Sequence, residues 1–248
     1  MTDTDPTTKT GTDPTHGETR AATDSETHDA TAELALVDVT KRYGETTALE
    51  DISLAFRPGE FHGLIGPNGS GKTTLFALLA GLVRPSSGRI ERSTATVGYS
   101  FQEPRFYPSL TVRENLEVFR GFVDDPPPAS WLETLLEELR LAPAADRRAD
   151  QLSGGFRKKL DLGIALIKRP QYLLLDEPLA DVDDYSRRRI GRFLDDYREN
   201  DRTVVVSTHN VAAFADSLDR LSVVVDGRLR FDGAPGDDVV GQYRSLLE

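Results

Sequence analysis

Gly66-Pro67-Asn68-Gly69-Ser70-Gly71-Lys72-Thr73 stands between a short apolar run at residues 61–65 and a helical apolar pattern over residues 73–82. Glycines flanking four residues and followed by Lys and Thr form a phosphate-binding loop when a strand precedes them and a helix follows. Both conditions are met. The glycines let successive backbone N–H groups turn inward around a polyphosphate, and the helix N-terminus adds the positive end of its dipole. Lys72 reaches the terminal phosphates, Thr73 offers a hydroxyl to Mg²⁺, and Thr74 completes the loop's ligand-facing residues.

A second apolar run, residues 172–175, ends in Asp176-Glu177. A wholly apolar strand suits a parallel sheet buried on both faces, and its C-terminal end is where open α/β folds bind ligands. Two carboxylates delivered there can divide the work. Asp176 holds Mg²⁺, directly or through water, and Glu177 orients and polarises an attacking water.

The rest of the chain fits an alternating β/α plan. Strands are predicted around residues 34–39, 52–56, 89–91, 96–99 and 203–206, and a helix over 185–199. Asp226-Gly227 marks a two-residue hairpin between apolar runs at 221–225 and 228–231. Residues 236–248 read as a closing helix. Between residues 104 and 152 the pattern turns helical, with capping-box spacing at Thr111/Glu114 and Ser130/Glu133 and a stiff Asp-Asp-Pro-Pro-Pro loop between them.

Residues 1–32 hold eleven Thr and seven acids against two basic residues, too little apolar surface to offset ordering entropy. That segment is expected to be disordered, with His16 and His28 as solvated tail residues. Of the net charge of −11 over 248 residues, the tail carries −5. Such a balance argues against a nucleic-acid partner, whose footprint is a basic stripe. The chain has no cysteine, which excludes disulfide scaffolds and thiolate chemistry. No apolar run approaches the roughly 20 residues of a membrane span, so no direct membrane insertion is expected. Arg outnumbers Lys 24 to 6 and Asp outnumbers Glu 25 to 16, a surface suited to concentrated salt and a halophilic host.

Leu152-Ser153-Gly154-Gly155-Phe156 opens a helix some twenty residues before the acidic strand. In that order and spacing it resembles the signature sequence of ABC-type ATPases, the nucleotide-binding subunits of ABC transporters, and the likeness runs over nearly all of residues 33–248. The resemblance implies a P-loop ATPase domain of α/β class: a mixed sheet core, an N-terminal antiparallel β subdomain and an inserted helical subdomain at about 104–152. It also assigns roles. Tyr43 stacks on adenine; Gln102 touches Mg²⁺ and the attacking water; His209 contacts the γ-phosphate; Asp183 links two active sites. Ser153, Gly154 and Gly155 close on the ATP of a second subunit, in a homodimer or a heterodimer with a related ATPase. A separate transmembrane permease subunit is implied as partner, with this chain peripheral on the cytoplasmic face of the cell membrane.

Residues 106–116 look most like exporter-type or permease-type subunits. An importer subunit, or a soluble ATPase of the iron–sulfur assembly type, are the alternatives. Two positions depart from the family pattern. Phe156 stands where Gln is common, and Asp181 adds an acid within Leu179-Ala180-Asp181-Val182-Asp183.

Overall fold

The computed structural model describes residues 34–92, 95–198 and 201–247; the reading of residues 1–32 as a disordered tail lies outside them. In chain order the strands begin with β1 (Leu34–Tyr43), β2 (Thr46–Phe56) and β3 (Phe61–Ile65), followed by helix α1 (Lys72–Leu79). Then come β4 (Ser87–Arg92), β5 (Val97–Ser100), α2 (Val112–Arg120), α3 (Ala129–Glu138) and α4 (Gly154–Leu166). The chain continues with β6 (Tyr172–Asp176), α5 (Asp184–Arg198), β7 (Thr203–Thr208), β8 (Arg220–Val225), β9 (Arg228–Gly233) and α6 (Val239–Ser245).

Two sheets form. β1 lies between β2 and β4 in a small antiparallel sheet. The larger sheet runs β5-β6-β7-β3-β8-β9, parallel throughout except for the last pair. β3, β6 and β7 are buried along their whole length, as continuous apolar runs in a two-sided sheet must be.

Strand alternation divides the core in two. Tyr172, Leu174, Val205, Leu64 and Val224 face one side, where they meet α1 and the small sheet through Leu75, Phe76, Leu34 and Leu36. Leu173, Leu175, Val204, Val206 and Val223 face the other, against residues of α2, α3, α4 and α5. The ends of β3, β6 and β7 therefore emerge side by side at one edge, with α1 leaving directly after β3.

The capping box at Thr111 forms as expected: its side chain accepts the Glu114 N–H (3.1 Å) and Glu114 accepts the Thr111 N–H (2.8 Å). The one expected at Ser130 does not. α3 starts two residues earlier, at Ala129, with Pro128 at the N-cap position, whose ring already holds a helix-entry conformation. Ser130 then lies inside the first turn, and Glu133 pairs instead with Arg113 on α2. The tip of the β8–β9 hairpin, Asp226-Gly227, has φ of 49° and 73°, the twist a two-residue hairpin requires.

Candidate functional site

The loop between β3 and α1 is fixed by close approach. A Cβ on Gly66 would lie 2.0 Å from the Val224 carbonyl oxygen, so the loop can pass β8 only with hydrogen at that position. Gly71 precedes α1 with φ 106°, and a Cβ there would meet Leu49 and the Ala48 carbonyl at 2.6 and 2.7 Å. Lys72 folds back over the loop. Its buried ammonium donates to the carbonyls of Gly66 (2.8 Å) and Pro67 (3.1 Å). Burial pulls its pKa below the usual lysine range, against the pull of Glu177 and Asp176.

Asn68, Gly69, Gly71, Lys72, Thr73 and Thr74 form one wall of an open cleft of about 240 Å³, and Gln102, Asp176 and Glu177 form the other. Asp176 is buried at the end of β6. It accepts hydrogen bonds from Ser207 on β7 and from the Tyr99 hydroxyl on β5 (3.3 Å). Burial pushes the Tyr99 hydroxyl pKa up, so Tyr99 stays a donor. Glu177 leaves the strand with φ 50°, in the left-handed region. Its Oε1 accepts both the backbone N–H (3.0 Å) and the Nδ1–H (2.7 Å) of His209, just past β7. Thr208 Oγ1 donates to Oε2 at 3.4 Å.

The structure thus brings the loop residues, Gln102, Asp176 and Glu177 to one cleft, with His209 attached to Glu177. Other candidates stand apart. Tyr43, at the end of β1, is 49% exposed and carries the Lys41 ammonium 4.8 Å from its ring centroid. Ser153 caps α4 through the Phe156 N–H. With Gly154, Gly155, Phe156, Lys159 and Asp181 it borders a separate surface groove that Asp183 also lines. Hydrogen bonds from Ser186 hold the Asp183 carboxyl down at about 2. Lys159 lies 3.6 Å from Asp183 and donates to Ser186 Oγ at 2.7 Å.

Sequence reasoning missed the groups that hold these residues. Ser207 reaches Asp176 because β6 and β7 align Asp176 with Ser207, a parallel register that no local pattern encodes. Lys158 and Asp161 on α4 bind the loop carrying Gln102. A lone acid inside Leu160-Asp161-Leu162 is the signal that could have found the latter.

Residues 49–180 match the family described as ABC transporter. The chain is 36% identical over 217 residues to an aliphatic sulfonates import ATP-binding protein of Pseudomonas aeruginosa, spanning 82% of this chain and 83% of that one. It is 35% identical to a Nod factor export ATP-binding protein of Paraburkholderia xenovorans, over 79% of this chain and 69% of the relative. Among solved structures, the dimeric ATP-binding cassette MJ0796 bound to ADP and Pi superposes with a TM-score of 0.72 at 27% identity, covering 81% of this chain and 98% of that one. With a phosphate-binding loop, an acidic strand end and these relatives, the chain belongs to the ATP-binding subunits of ABC transporters, a family of ATPases.

Proposed function

We propose that the chain binds MgATP in the cleft at the ends of β3 and β6, hydrolyses it, and drives export through a separate transmembrane permease subunit. One observation carries the catalytic part: Lys72, Thr73, Gln102, Asp176 and Glu177 converge on a single cleft. Lys72 withdraws from the Gly66 and Pro67 carbonyls to the β- and γ-phosphates, where loop N–H groups cradle the oxygens. Glu177, through the remaining lone pair on Oε2, orients the attacking water and accepts its proton. His209, already on Glu177, is positioned to turn toward the γ-phosphate. Thr73, Gln102 and Asp176 are hard oxygen donors within one cleft, which fits Mg²⁺. The ion, when bound, neutralises charge on the phosphates.

Ser153, Gly154 and Gly155 border a different groove, and on this reading they cover the γ-phosphate of a second subunit in a head-to-tail pair. Asp183 bridges the two sites, and Tyr43 stacks on adenine. The structure of a dimeric relative supports the pairing. Residues 104–152, including α2 and α3, dock on the permease at the cytoplasmic face of the membrane. No helix among the described residues is long and apolar enough to cross a membrane, so spanning segments come from that partner.

The test is to solubilise native membranes at high salt and identify what co-purifies with the tagged chain. A stoichiometric polytopic partner supports the transporter role. Recovery with soluble companions alone overturns it in favour of a soluble ATPase. Import is the second reading, favoured by the sulfonate-import relative. Loss of aliphatic sulfonate uptake in cells lacking the chain would decide for import.

A further inference from the structure

Asp161 sits in the middle of α4 with 1% of its surface exposed, between Leu160 and Leu162. All three of its hydrogen bonds go to one segment, residues 100–105. Its Oδ2 accepts from Ser100 Oγ and the Phe101 N–H, and its Oδ1 accepts from the Arg105 N–H, each at 2.7 Å. One turn earlier, on the same helix face, Lys158 donates to the carbonyls of Phe101 (3.4 Å) and Gln102. Two side chains of α4 therefore hold five groups of the segment that carries Gln102.

This is an expensive way to hold a loop if packing were the only need. A carboxylate and an ammonium are both drawn out of water, and an apolar pair of similar volume is often as stabilising. What an apolar pair lacks is direction. A carboxylate accepting two backbone N–H groups from opposite ends of a loop fixes both ends in position and orientation. Gln102, one of the three residues between those ends, borders the cleft beside Thr73, Asp176 and Glu177. Burial, opposed by the three hydrogen bonds and by the Lys158 charge, leaves the Asp161 carboxyl raised to about 6, so that it is ionised as an acceptor at neutral pH.

We propose that Asp161 and Lys158 are positioning residues for the reaction. They set where Gln102 stands over the cleft and tie it to the helix whose first turn bears Ser153-Gly154-Gly155. From Ser153 to Asp161 is eight residues, about 12 Å of rigid helix. Movement of the signature turn then carries the Gln102 loop with it, so a partner subunit's nucleotide and the local water-activating site report to each other through α4. The inference rests on the reading of Gln102 as a group that touches the reacting centre.

The experiment is a double-mutant cycle on the full chain in high salt, reading MgATP turnover and MgATP affinity separately. Asp161→Asn keeps the shape but turns one acceptor into an NH₂ that faces the loop's own donors. The expected result is a fall in kcat of about tenfold or more with Kd for MgATP within about threefold. Gln102→Ala should slow turnover as well, and the double variant should be no slower than the slower single. Amide hydrogen exchange at Phe101 and Arg105 should quicken in Asp161→Asn. If that variant fails to fold, Lys158→Met, which keeps the stem and removes the donations to the loop together with a charge that acts on Asp161, Asp176 and Glu177, enters the same cycle.

Single effects that multiply in the double variant overturn the inference, as does unchanged turnover in Asp161→Asn. Wild-type turnover in Gln102→Ala alone overturns the reading of Gln102 and the inference with it. The two failures are thereby told apart.

Discussion

Glu177 Oε1 accepts two hydrogen bonds from His209, one from its backbone N–H and one from its ring Nδ1–H, at 3.0 and 2.7 Å. The carboxylate is 13% exposed and the imidazole 63%, so one side of the pair is set in the protein and the other faces solvent. Glu177→Gln keeps an amide oxygen for both N–H donors and should leave the fold intact. It loses the ability to take a proton from water. Turnover is expected to fall by about 10² to 10⁴, the range for a positioned general base, while MgATP binding persists and closed dimers accumulate. Steady-state hydrolysis, equilibrium binding and size-exclusion chromatography in MgATP check this. Turnover within a few-fold of wild type rules out the base.

Lys72 folds back on the loop itself, donating to the carbonyls of Gly66 and Pro67. Lys72→Ala removes the cation from a cleft that also holds Asp176 and Glu177, leaving their field to repel phosphate. Loss of one charge-assisted hydrogen bond is worth about 2 kcal/mol, or about thirtyfold in Kd, and losing the net charge adds to it. Calorimetric titration with ATP measures the change. Unchanged affinity would refute the phosphate role.

Much of this site was legible because its parts are local. The loop 66–73 needs only its own spacing, and β3 and β6 need only apolar runs ending at a Gly and an acid. Other parts depend on distant partners. Whether His209 reaches Glu177 is set by the β6–β7 register, and the role of Asp161 is set by a loop about sixty residues earlier in the chain. Ser130 failed as a cap for a different reason. Spacing alone cannot decide between start residues two positions apart when a proline has already fixed the chain direction.

Phe156 replaces a commonly polar signature residue, yet only its backbone takes part in the cap: its N–H donates to Ser153 Oγ. Its ring lies under the Lys159 ammonium at 5.0 Å and packs against the core around α4. Phe156→Gln removes a cation–π contact of about 0.5–1 kcal/mol and leaves Ser153, Gly154 and Gly155 as they are. ATPase activity is expected within about tenfold of wild type, about 1.4 kcal/mol. A larger loss would give the ring a direct function.

The charge of −11 predicts a salt response. At 1 M salt the screening length is about 3 Å, so repulsion among acidic surface groups is largely removed. The midpoint of thermal unfolding should rise between 0.1 and 2 M KCl. A lower midpoint in molar KCl would oppose adaptation to salt.

His62 gives a pH dependence whose sign can be worked out from one network. Ser222 Oγ donates to Asp232 (2.8 Å), so it accepts from His62 Nε2–H (2.7 Å). Nδ1 is left as a bare, buried acceptor with no partner among the described residues, and the ring lies 4.8 Å from that of Phe56. Protonating Nδ1 would strand an N–H there, and burial accordingly pushes the His62 pKa down to about 4. The folded value lies below the unfolded one near 6.5, so the contribution is complete above about pH 6.5 and is lost as pH falls toward 4. Its ceiling is about 3 kcal/mol. Asp161, pushed up to about 6, works in the opposite direction over part of that window, since its neutral form is the one burial favours. Total stability therefore blends two slopes, and the informative quantity is a difference. Denaturant unfolding of wild type and His62→Phe at pH 7 and pH 4.5 should show the variant gaining about 2 kcal/mol relative to wild type on acidification. A gap that stays constant between the two pH values would remove His62 as the acid-labile group.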